Sequence, residues 1–437
     1  TSLADGQGVM QFNSTREQVA FLARRATWGL APGELDVLES LGVAATIDRL
    51  VDPSSAGLGE EASAWADWNF VYDRSDRKAR RQQDMEAFER WMGRLLSTER
   101  PLDHQLAWFW HDHFAVSMQV VRHLPAMLAH LDLCWSLGRG DVRALIRQVT
   151  TDAAMLVFLD GATSKGTAPN ENFGRELLEL YTVGVGNFTE ADVKAAAAAL
   201  TGWVVRRRDG WKVRFVPSRH DDTPQTLLGV DGVRDADTTI AAATSSPACP
   251  VFLASKLGRY LLGDIDDATV LALAATFSNA DLDISALARA TLGAGVGGAA
   301  TPTVLAPLPW LLQAIKATGA RVSTAELANT LRSMGQLPGS PPNVGGYPGA
   351  ATWLASSATA ARFSAAIDVA RATPDEAPAL AAARAGDWPG LADLFMRPAG
   401  FSDATMTALE DLKSSVSSRP GEGALALALA SPDLLIA

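Results

Sequence analysis

The segment from Asn170 to Trp203 constrains the fold of this chain most strongly, because it predicts two successive capped helices. The first helix, residues 171–182, follows a Pro-Asn break, and its apolar side chains recur at the i, i+4, i+7 and i+8 spacing of a buried helical face. The second helix, residues 190–201, begins with a reciprocal capping pattern and ends at Gly202. Similar helical spacing recurs along most of the chain, so we expect a mainly α fold.

One stretch departs from the helical pattern and predicts a small β insertion, as a hairpin or small sheet, over residues 203–235. The runs that predict short strands are 204–205, 211–216 and 227–230. Residues 338–350 (PGSPPNVGGYPGA) predict a long loop, because proline and glycine interrupt regular elements. No linker-like segment divides the 437 residues, which suffice for a large core. The sequence therefore predicts a single large multi-helix domain over residues 1–437.

Charge and cysteine content limit the classes of partner. A formal net charge of −11 argues against nucleic acid as the main partner. No apolar run reaches the roughly 18 residues that a bilayer span requires, so we expect no transmembrane segment. The chain starts at Thr1 rather than at a methionine, so we expect a processed or truncated chain, from which any leader would be missing. Cys134 and Cys249 allow at most one disulfide and leave the redox compartment open.

Helix 171–182 carries the densest set of candidate catalytic groups. Glu171, Arg175 and Glu179 are spaced at i, i+4 and i+8, so the arginine can bridge both carboxylates. Glu176 borders the buried face, where desolvation raises the pKa of a carboxyl group and suits it to general acid or base catalysis. The alternative is an ion-pair ladder that ties helices together without any catalytic role.

A second candidate group is the aromatic and histidine block WFWHDHF at residues 108–114. On a regular helix His111 and His113 point about 200° apart and cannot bind one metal ion together. If the helix ends by His111, an extended His-x-His places both imidazoles on one side, as metal sites often require. Trp108 and Trp110 can offer stacking faces for sugar rings. The alternative for the whole block is aromatic packing with histidines bonded to the backbone.

A third candidate group is His220 and Asp221, in a polar loop after a predicted strand. A histidine beside carboxylates can be a metal ligand or an oriented base, and the same residues can equally form an Asx-type turn. The sequence contains no phosphate-binding loop, dinucleotide-binding fingerprint, nucleophile elbow or CxxC pair. Chemistry is therefore left to carboxylates and histidines.

Together these motifs resemble those of a bacterial family, domain of unknown function 1800. The segments that carry the resemblance are 22–29 (LARRATWG), 109–114 (FWHDHF), 170–185, 188–203, 220–229 and 346–354. Two positions depart from the family pattern: Asp112 replaces an asparagine, and Gln225 stands where lysine is common. The added carboxyl group at Asp112 is a potential acid or ligand.

The resemblance implies a location and a substrate class. Members of the family often look exported, frequently with twin-arginine-type leaders, and tend to be encoded beside sulfatase-like proteins. It therefore implies a periplasmic or extracellular protein with a polymeric or cell-surface substrate, and a sulfatase-like protein as a candidate partner. The residues themselves leave a cytoplasmic location open.

We therefore expect an extracytoplasmic hydrolase that acts on a carbohydrate-rich or other polymeric substrate through helix-borne carboxylates. In this hypothesis Glu176 is the general acid or base, Glu171 is the second carboxylate and Arg175 positions it. His220 and Asp221 close the pocket from the β insertion. Substrate contacts are expected from Trp108, Trp110, Asn170, Asn172 and Trp203.

Two alternatives stay open. The first is a metalloenzyme, redox or hydrolytic, that holds a divalent transition metal such as zinc, iron or manganese. Its ligands would be His111, His113 and His220 with one or more of Asp221, Glu171 and Glu176. The second is a non-catalytic helical scaffold or binding protein linked to secretion, in which the polar clusters are buried ion-pair networks.

Overall fold

Helices make up most of the chain, as the sequence predicts. The computed structural model describes residues 8–73, 75–414 and 420–437. The helices before the β insertion are α1 (Thr15–Ala26), α2 (Glu34–Leu41), α3 (Val43–Val51), α4 (Arg77–Ser97), α5 (Pro101–His113), α6 (Met118–Val121), α7 (Leu124–Ser136), α8 (Val142–Thr150), α9 (Ala153–Phe158), α10 (Glu171–Glu176) and α11 (Glu190–Ala199).

The chain returns to helices after the insertion. These are α12 (Ala236–Ser245), α13 (Ala248–Leu262), α14 (Asp267–Asn279), α15 (Ile284–Ala294), α16 (Pro307–Thr318), α17 (Thr324–Ser333), α18 (Ala350–Trp353), α19 (Ser356–Ala372), α20 (Pro378–Ala385), α21 (Trp388–Leu394), α22 (Asp403–Ser414), α23 (Pro420–Ala430) and α24 (Pro432–Leu435). Two π-helical segments, Leu177–Thr182 and Gly295–Ala299, directly continue α10 and α15. Within the described residues, none of the helices has both the length and the apolar character needed to cross a bilayer.

The β insertion consists of two separate antiparallel hairpins. The first pairs β1 (Trp203–Arg206) with β2 (Lys212–Phe215), and the second pairs β3 (Gln225–Leu227) with β4 (Val230–Val233). The strand predicted over 227–230 is wrong, because the chain reverses direction there. Leu228 (φ 50°) and Gly229 (φ 81°) both lie in the left-handed region that a two-residue hairpin turn requires.

Two large apolar clusters meet at helix α5. Phe109 and Trp110 pack in the cluster formed by the N-terminal part of the chain, up to Ala300. Trp108 packs in the cluster formed mainly by helices after residue 305. Because apolar residues surround α5, even its polar side chains, including His111 and His113, are buried.

The segment 22–29 has a structural role that links the two ends of the chain. Arg24 donates a hydrogen bond to the carbonyl oxygen of Met396, and the Arg25 guanidinium donates to that of Thr301 at 2.7 Å. Gly29 has φ 98°, and a Cβ there would lie 2.6 Å from the Cα atom of Gln313. Only glycine combines this dihedral with this close approach. The described cysteines, Cys134 and Cys249, are both buried free thiols.

Candidate active site

Helix α10 begins where the sequence predicts, because Asn170 caps it. The Asn170 Oδ1 accepts a hydrogen bond from the backbone N–H of Phe173 at 3.1 Å, and its Nδ2 donates to the carbonyl oxygen of Leu159 at 2.7 Å. Both ends of the Asn170 amide are therefore occupied by the helix cap. Asn172, the other asparagine expected to contact substrate, is exposed.

After Glu176 the helix changes its geometry. Residues Leu177–Thr182 form a π-helical segment, and the N–H of Val183 bonds to the carbonyl of Leu178, five residues earlier, at 2.9 Å. A π turn holds more residues than the 3.6 of an α turn, so Glu179 is displaced from the regular i, i+8 line. Such segments are rare and frequently occur at functional sites.

The predicted bridge from Arg175 to Glu171 and Glu179 is wrong. The Arg175 guanidinium instead makes a two-point ion pair with Glu190 of α11, at 2.9 and 2.6 Å. In the part of the chain that the structure describes, no ion pair involves Glu171, Glu176 or Glu179. The carboxylates of this helix thus lack the ladder that a purely structural role would need.

Glu176 is the carboxyl group of this set that is best placed for proton transfer. It is partly buried at the junction of α10 with the π segment. Burial raises the pKa of Glu176, and the nearby negative charge of Glu179 raises it further. The carboxylate that acts electrostatically on Glu176 is therefore Glu179, whereas Glu171 is exposed one turn earlier.

His220 and Asp221 adopt the turn that was the alternative to a catalytic pair. The His220 Nδ1 lies 3.1 Å from the hydroxyl oxygen of Thr201 and 3.0 Å from its carbonyl oxygen. The Asp221 carboxylate accepts the backbone N–H of Thr223 at 3.1 Å, as in an Asx turn. Hydrogen bonds from the Thr223 hydroxyl and from this N–H lower the pKa of Asp221.

This turn nevertheless lies against the loop that leads into α10. The N–H of Gly166 donates to the carbonyl of Arg219 at 2.7 Å, and a Cβ at Gly166 would lie 3.2 Å from the backbone nitrogen of Asp221. Within the same loop, the Ser164 hydroxyl accepts the backbone N–H of Asn170 at 3.0 Å. The structure thus brings the His220–Asp221 turn next to the start of the carboxylate helix.

The predicted stacking tryptophans differ in accessibility. Trp108 is 3% exposed and stacks on the ring of Tyr347 at 5.4 Å between centroids. Trp110 is 2% exposed and donates its Nε1–H to the carbonyl of Gly138 at 2.9 Å. Both therefore pack in the core and present no open face to a sugar ring. Trp203, at the start of β1, is only partly buried.

His111 and His113 are not brought together. Helix α5 continues through His113, so the extended His-x-His that a shared metal requires does not form. The His113 Nε2 lies 3.1 Å from the carbonyl oxygen of Tyr181, whereas both ring nitrogens of His111 are buried with no hydrogen-bond partner among the described residues. Burial, followed by the charge of His130, lowers the pKa of His111 to about 3.

Among the described residues, no group of three or more histidine, cysteine, aspartate or glutamate side chains is arranged to hold a metal ion. The combination of His111, His113 and His220 with carboxylates that the metalloenzyme hypothesis requires is therefore not assembled. His220 is held at Thr201, and His113 at the carbonyl of Tyr181.

The structure adds a polar group that the candidate residues did not include. Asp112 is partly buried and accepts the backbone N–H of Tyr347 at 2.7 Å. Burial raises the pKa of Asp112 to about 6, although the Tyr347 N–H and the charge of Lys256 oppose this. Burial lowers the pKa of Lys256, and Asp112 opposes that shift. A Cβ at Gly346 would collide with the Asp112 carboxylate. The loop can therefore lie this close to Asp112 only because residue 346 is glycine.

This polar group adjoins the π segment. The Lys256 Nζ lies 3.5 Å from the carbonyl oxygen of Leu180, and His113 contacts the next carbonyl, that of Tyr181. The last carbonyls of a helix have no partner within it, so these side chains complete its C-terminal end. In the sequence, Lys256 stands out as the one charged residue of the mostly apolar segment VFLASKLG of α13.

Comparison with known proteins identifies the family. A sequence model described as "Protein of unknown function (DUF1800)" matches residues 21–436. The chain belongs to this family. Searches of curated proteins and of solved structures found no similar chain.

In this member of the DUF1800 family, the motifs divide into two kinds by position. Segment 22–29 joins distant parts of the fold through Arg24, Arg25 and Gly29. Segments 109–114, 170–185 and 346–354 converge, because Asp112 bonds to Tyr347 and His113 bonds to Tyr181. Segment 170–185 also contacts 188–203 through the Arg175–Glu190 ion pair, and 188–203 contacts 220–229 through Thr201 and His220. The candidate active site therefore lies within a set of five connected family motifs.

Proposed function

We propose that this protein is an extracytoplasmic hydrolase that acts on a carbohydrate-rich or other polymeric substrate through the carboxylates of α10 and the π segment. The observation that carries the proposal is that Arg175 pairs with Glu190, which leaves Glu176 and Glu179 close together and unpaired in the described part of the chain. Neighbouring carboxylates repel each other, so they cost stability rather than supply it.

The chemistry requires one protonated and one ionised carboxyl group. Glu176, whose pKa is raised, would hold the proton and donate it to the oxygen of the leaving group as the bond to that oxygen breaks. Glu179, which replaces Glu171 in this role, would accept a proton from the attacking water, and the water oxygen would form the new bond to the substrate.

The substrate class and the location rest on the family resemblance and not on the geometry. Export, action on a polymer and a sulfatase-like partner therefore belong to the proposal. The partly buried Trp203 and the His220–Asp221 turn supply polar and aromatic surface near the start of α10. These groups are expected to position the substrate rather than to transfer protons.

The test is hydrolysis of a panel of neutral and acidic polysaccharides, measured as new reducing ends. We expect wild-type protein to cleave at least one of them, and Glu176→Gln to lower kcat by about 100-fold or more with little change in KM. Glu171→Gln is the matched control, because it removes the same charge from an exposed position. Equal activity of Glu176→Gln and Glu171→Gln, or no cleavage of any polymer, would contradict the proposal.

A further inference from the structure

Two adjoining surface clefts, neither of which is lined by residues of the carboxylate helix, are lined by arginines. Their volumes are about 370 and 410 Å³, and both include Arg122. The first is lined by Tyr72, Arg77, Arg80, Arg81, Asp84, Met118 and Arg122. The second is lined by Gln119, Val120, Val121, Arg122 and Arg207. We call the two together the arginine cleft.

The arginines of the arginine cleft outnumber its carboxylates, and among the described residues only Arg80 has an acidic side chain, Asp84 or Asp73, close enough to interact with it electrostatically. In the described part of the chain, none of its arginines forms an ion pair, whereas Arg90 and Arg94, further along the same helix α4, pair with Glu86 and Glu61. Asp84 is the one carboxylate in its lining. The local charge of the cleft is thus positive, although the whole chain has a net charge of −11. This local positive charge favours an anionic ligand.

The cleft is also held in a fixed shape. Arg122 has φ 53°, a left-handed conformation that is strained for a non-glycine residue. Its backbone N–H bonds to the carbonyl of Met118 at 2.9 Å, and its Nε donates to the carbonyl of Gln119 at 2.9 Å. These hydrogen bonds fix the Arg122 backbone and the start of its guanidinium group at the point that the two clefts share.

A row of aromatic rings connects the two clefts. Tyr72 meets His123 edge to face at 4.9 Å, and His123 stacks on Trp211 at 4.2 Å with an interplanar angle of 10°. The guanidinium of Arg207 lies over Trp211, 5.4 Å from the ring centroid. The row therefore fixes the Arg207 side of the cleft relative to the Tyr72 side, which lowers the entropic cost of binding an extended ligand.

The size and surroundings of the cleft select the kind of anion. A guanidinium forms two parallel hydrogen bonds with a carboxylate, sulfate or phosphate group, and two joined clefts accommodate several such groups. The net negative charge of the protein opposes a dense polyanion such as DNA, which carries one charge per about 1.7 Å. A chain with sparse charges meets less repulsion, and Val120, which is 52% exposed, offers apolar surface between the charges.

We propose that the arginine cleft binds an acidic polysaccharide whose sulfate or carboxylate groups are widely spaced along the chain. The requirement for anionic groups rests on the unpaired arginines alone. The carbohydrate nature of the ligand rests on the proposed function. The arginine cleft would supply a second contact with the polymer, in addition to the contact at Glu176. Tyr72 adds an aromatic ring against which a sugar can pack.

The experiment measures binding without turnover. Glu176→Gln protein is titrated with a dextran that carries about one sulfate for every two sugar rings, with neutral dextran and single-stranded DNA of equal length as comparisons. The test variant is Arg81→Gln/Arg207→Gln, which removes one charge from each cleft. The matched control is Arg206→Gln/Arg208→Gln, which removes the same charge from exposed positions outside the cleft lining.

We expect the sulfated dextran to bind, neutral dextran not to bind, and the test variant to bind about tenfold more weakly or worse. The control variant should bind within about twofold of the parent, because Arg206 and Arg208 do not line the cleft and exposed charges that make no contact with the ligand are largely screened by salt. Equal losses in both variants, tighter binding of DNA, or no binding of the sulfated dextran would overturn the proposal. Because no cleavage is measured, these outcomes are independent of the proposed hydrolysis. Unchanged thermal unfolding of both variants checks that the fold is intact.

Discussion

At the scale of single residues, burial controls the protonation of Asp112. The folded protein raises the pKa of this carboxyl group to about 6, whereas an aspartate in an unfolded chain has a pKa of about 3.9. Between these values the folded state keeps a proton that the unfolded state has lost. The free energy of unfolding that Asp112 contributes therefore falls as pH rises from about 4 to about 6, and it stays low above that range.

This linkage predicts the pH dependence of Asp112→Asn, which restores the asparagine of the family pattern. Asparagine does not ionise, and its Oδ1 can still accept the N–H of Tyr347. From pH 4 to pH 7 we expect the free energy of unfolding of the variant to gain about 2–3 kcal/mol relative to wild type. Urea unfolding at a series of pH values measures this difference. Parallel pH profiles for the two proteins would show that Asp112 ionises normally in the folded state.

Single residues differ in how well the sequence predicts their hydrogen-bond and ion-pair partners. The cap at Asn170 was predictable, because its partners lie within a few residues along the chain. The partner of Arg175 was not, because Glu190 lies on the next helix and competes with carboxylates at the expected spacing. Asp112 was noted only as a departure from the family pattern, since its partners, Tyr347 and Lys256, are far away in sequence.

Among the helices, the position at which α5 ends determines whether His111 and His113 can bind one metal ion together. The residues of α5 fix its start at Pro101, but they leave its end open between His111 and Phe114. The structure extends the helix through His113, because apolar residues of both clusters surround it. The π segment after Glu176 was likewise not predictable, because its sequence has ordinary helical spacing.

The buried position of α5 predicts an unusual response at His111. Both of its ring nitrogens are buried without a partner among the described residues, so His111→Leu removes unsatisfied polar atoms at similar volume. We expect the free energy of unfolding at pH 7 to rise by about 1–2 kcal/mol. His113→Leu is the control, because it loses the contact with the Tyr181 carbonyl and should not gain stability. Destabilisation by His111→Leu would instead reveal a bound partner of the imidazole, and urea unfolding distinguishes the outcomes.

At the scale of the whole molecule, α5 connects the two apolar clusters through adjacent residues. Trp108 packs in one cluster and Trp110 in the other, and Tyr260 packs against both. The helical class and the β insertion were predictable because caps and periodicity are local. The division into two clusters with a shared helix was not, since it depends on which distant helices meet α5.

The shared helix predicts that both clusters unfold together. Trp108→Ala and Trp110→Ala each remove a buried ring, so each should lower the free energy of unfolding by about 3–5 kcal/mol. Because the two residues lie two positions apart on one helix, we expect both substitutions to shift a single unfolding transition, followed by circular dichroism and by differential scanning calorimetry. Phe363→Ala, which removes a ring that is 53% exposed, is the control and should change stability by less than about 1 kcal/mol. Two separate transitions, each shifted by only one of the tryptophan substitutions, would show that the clusters are independent folding units joined at α5.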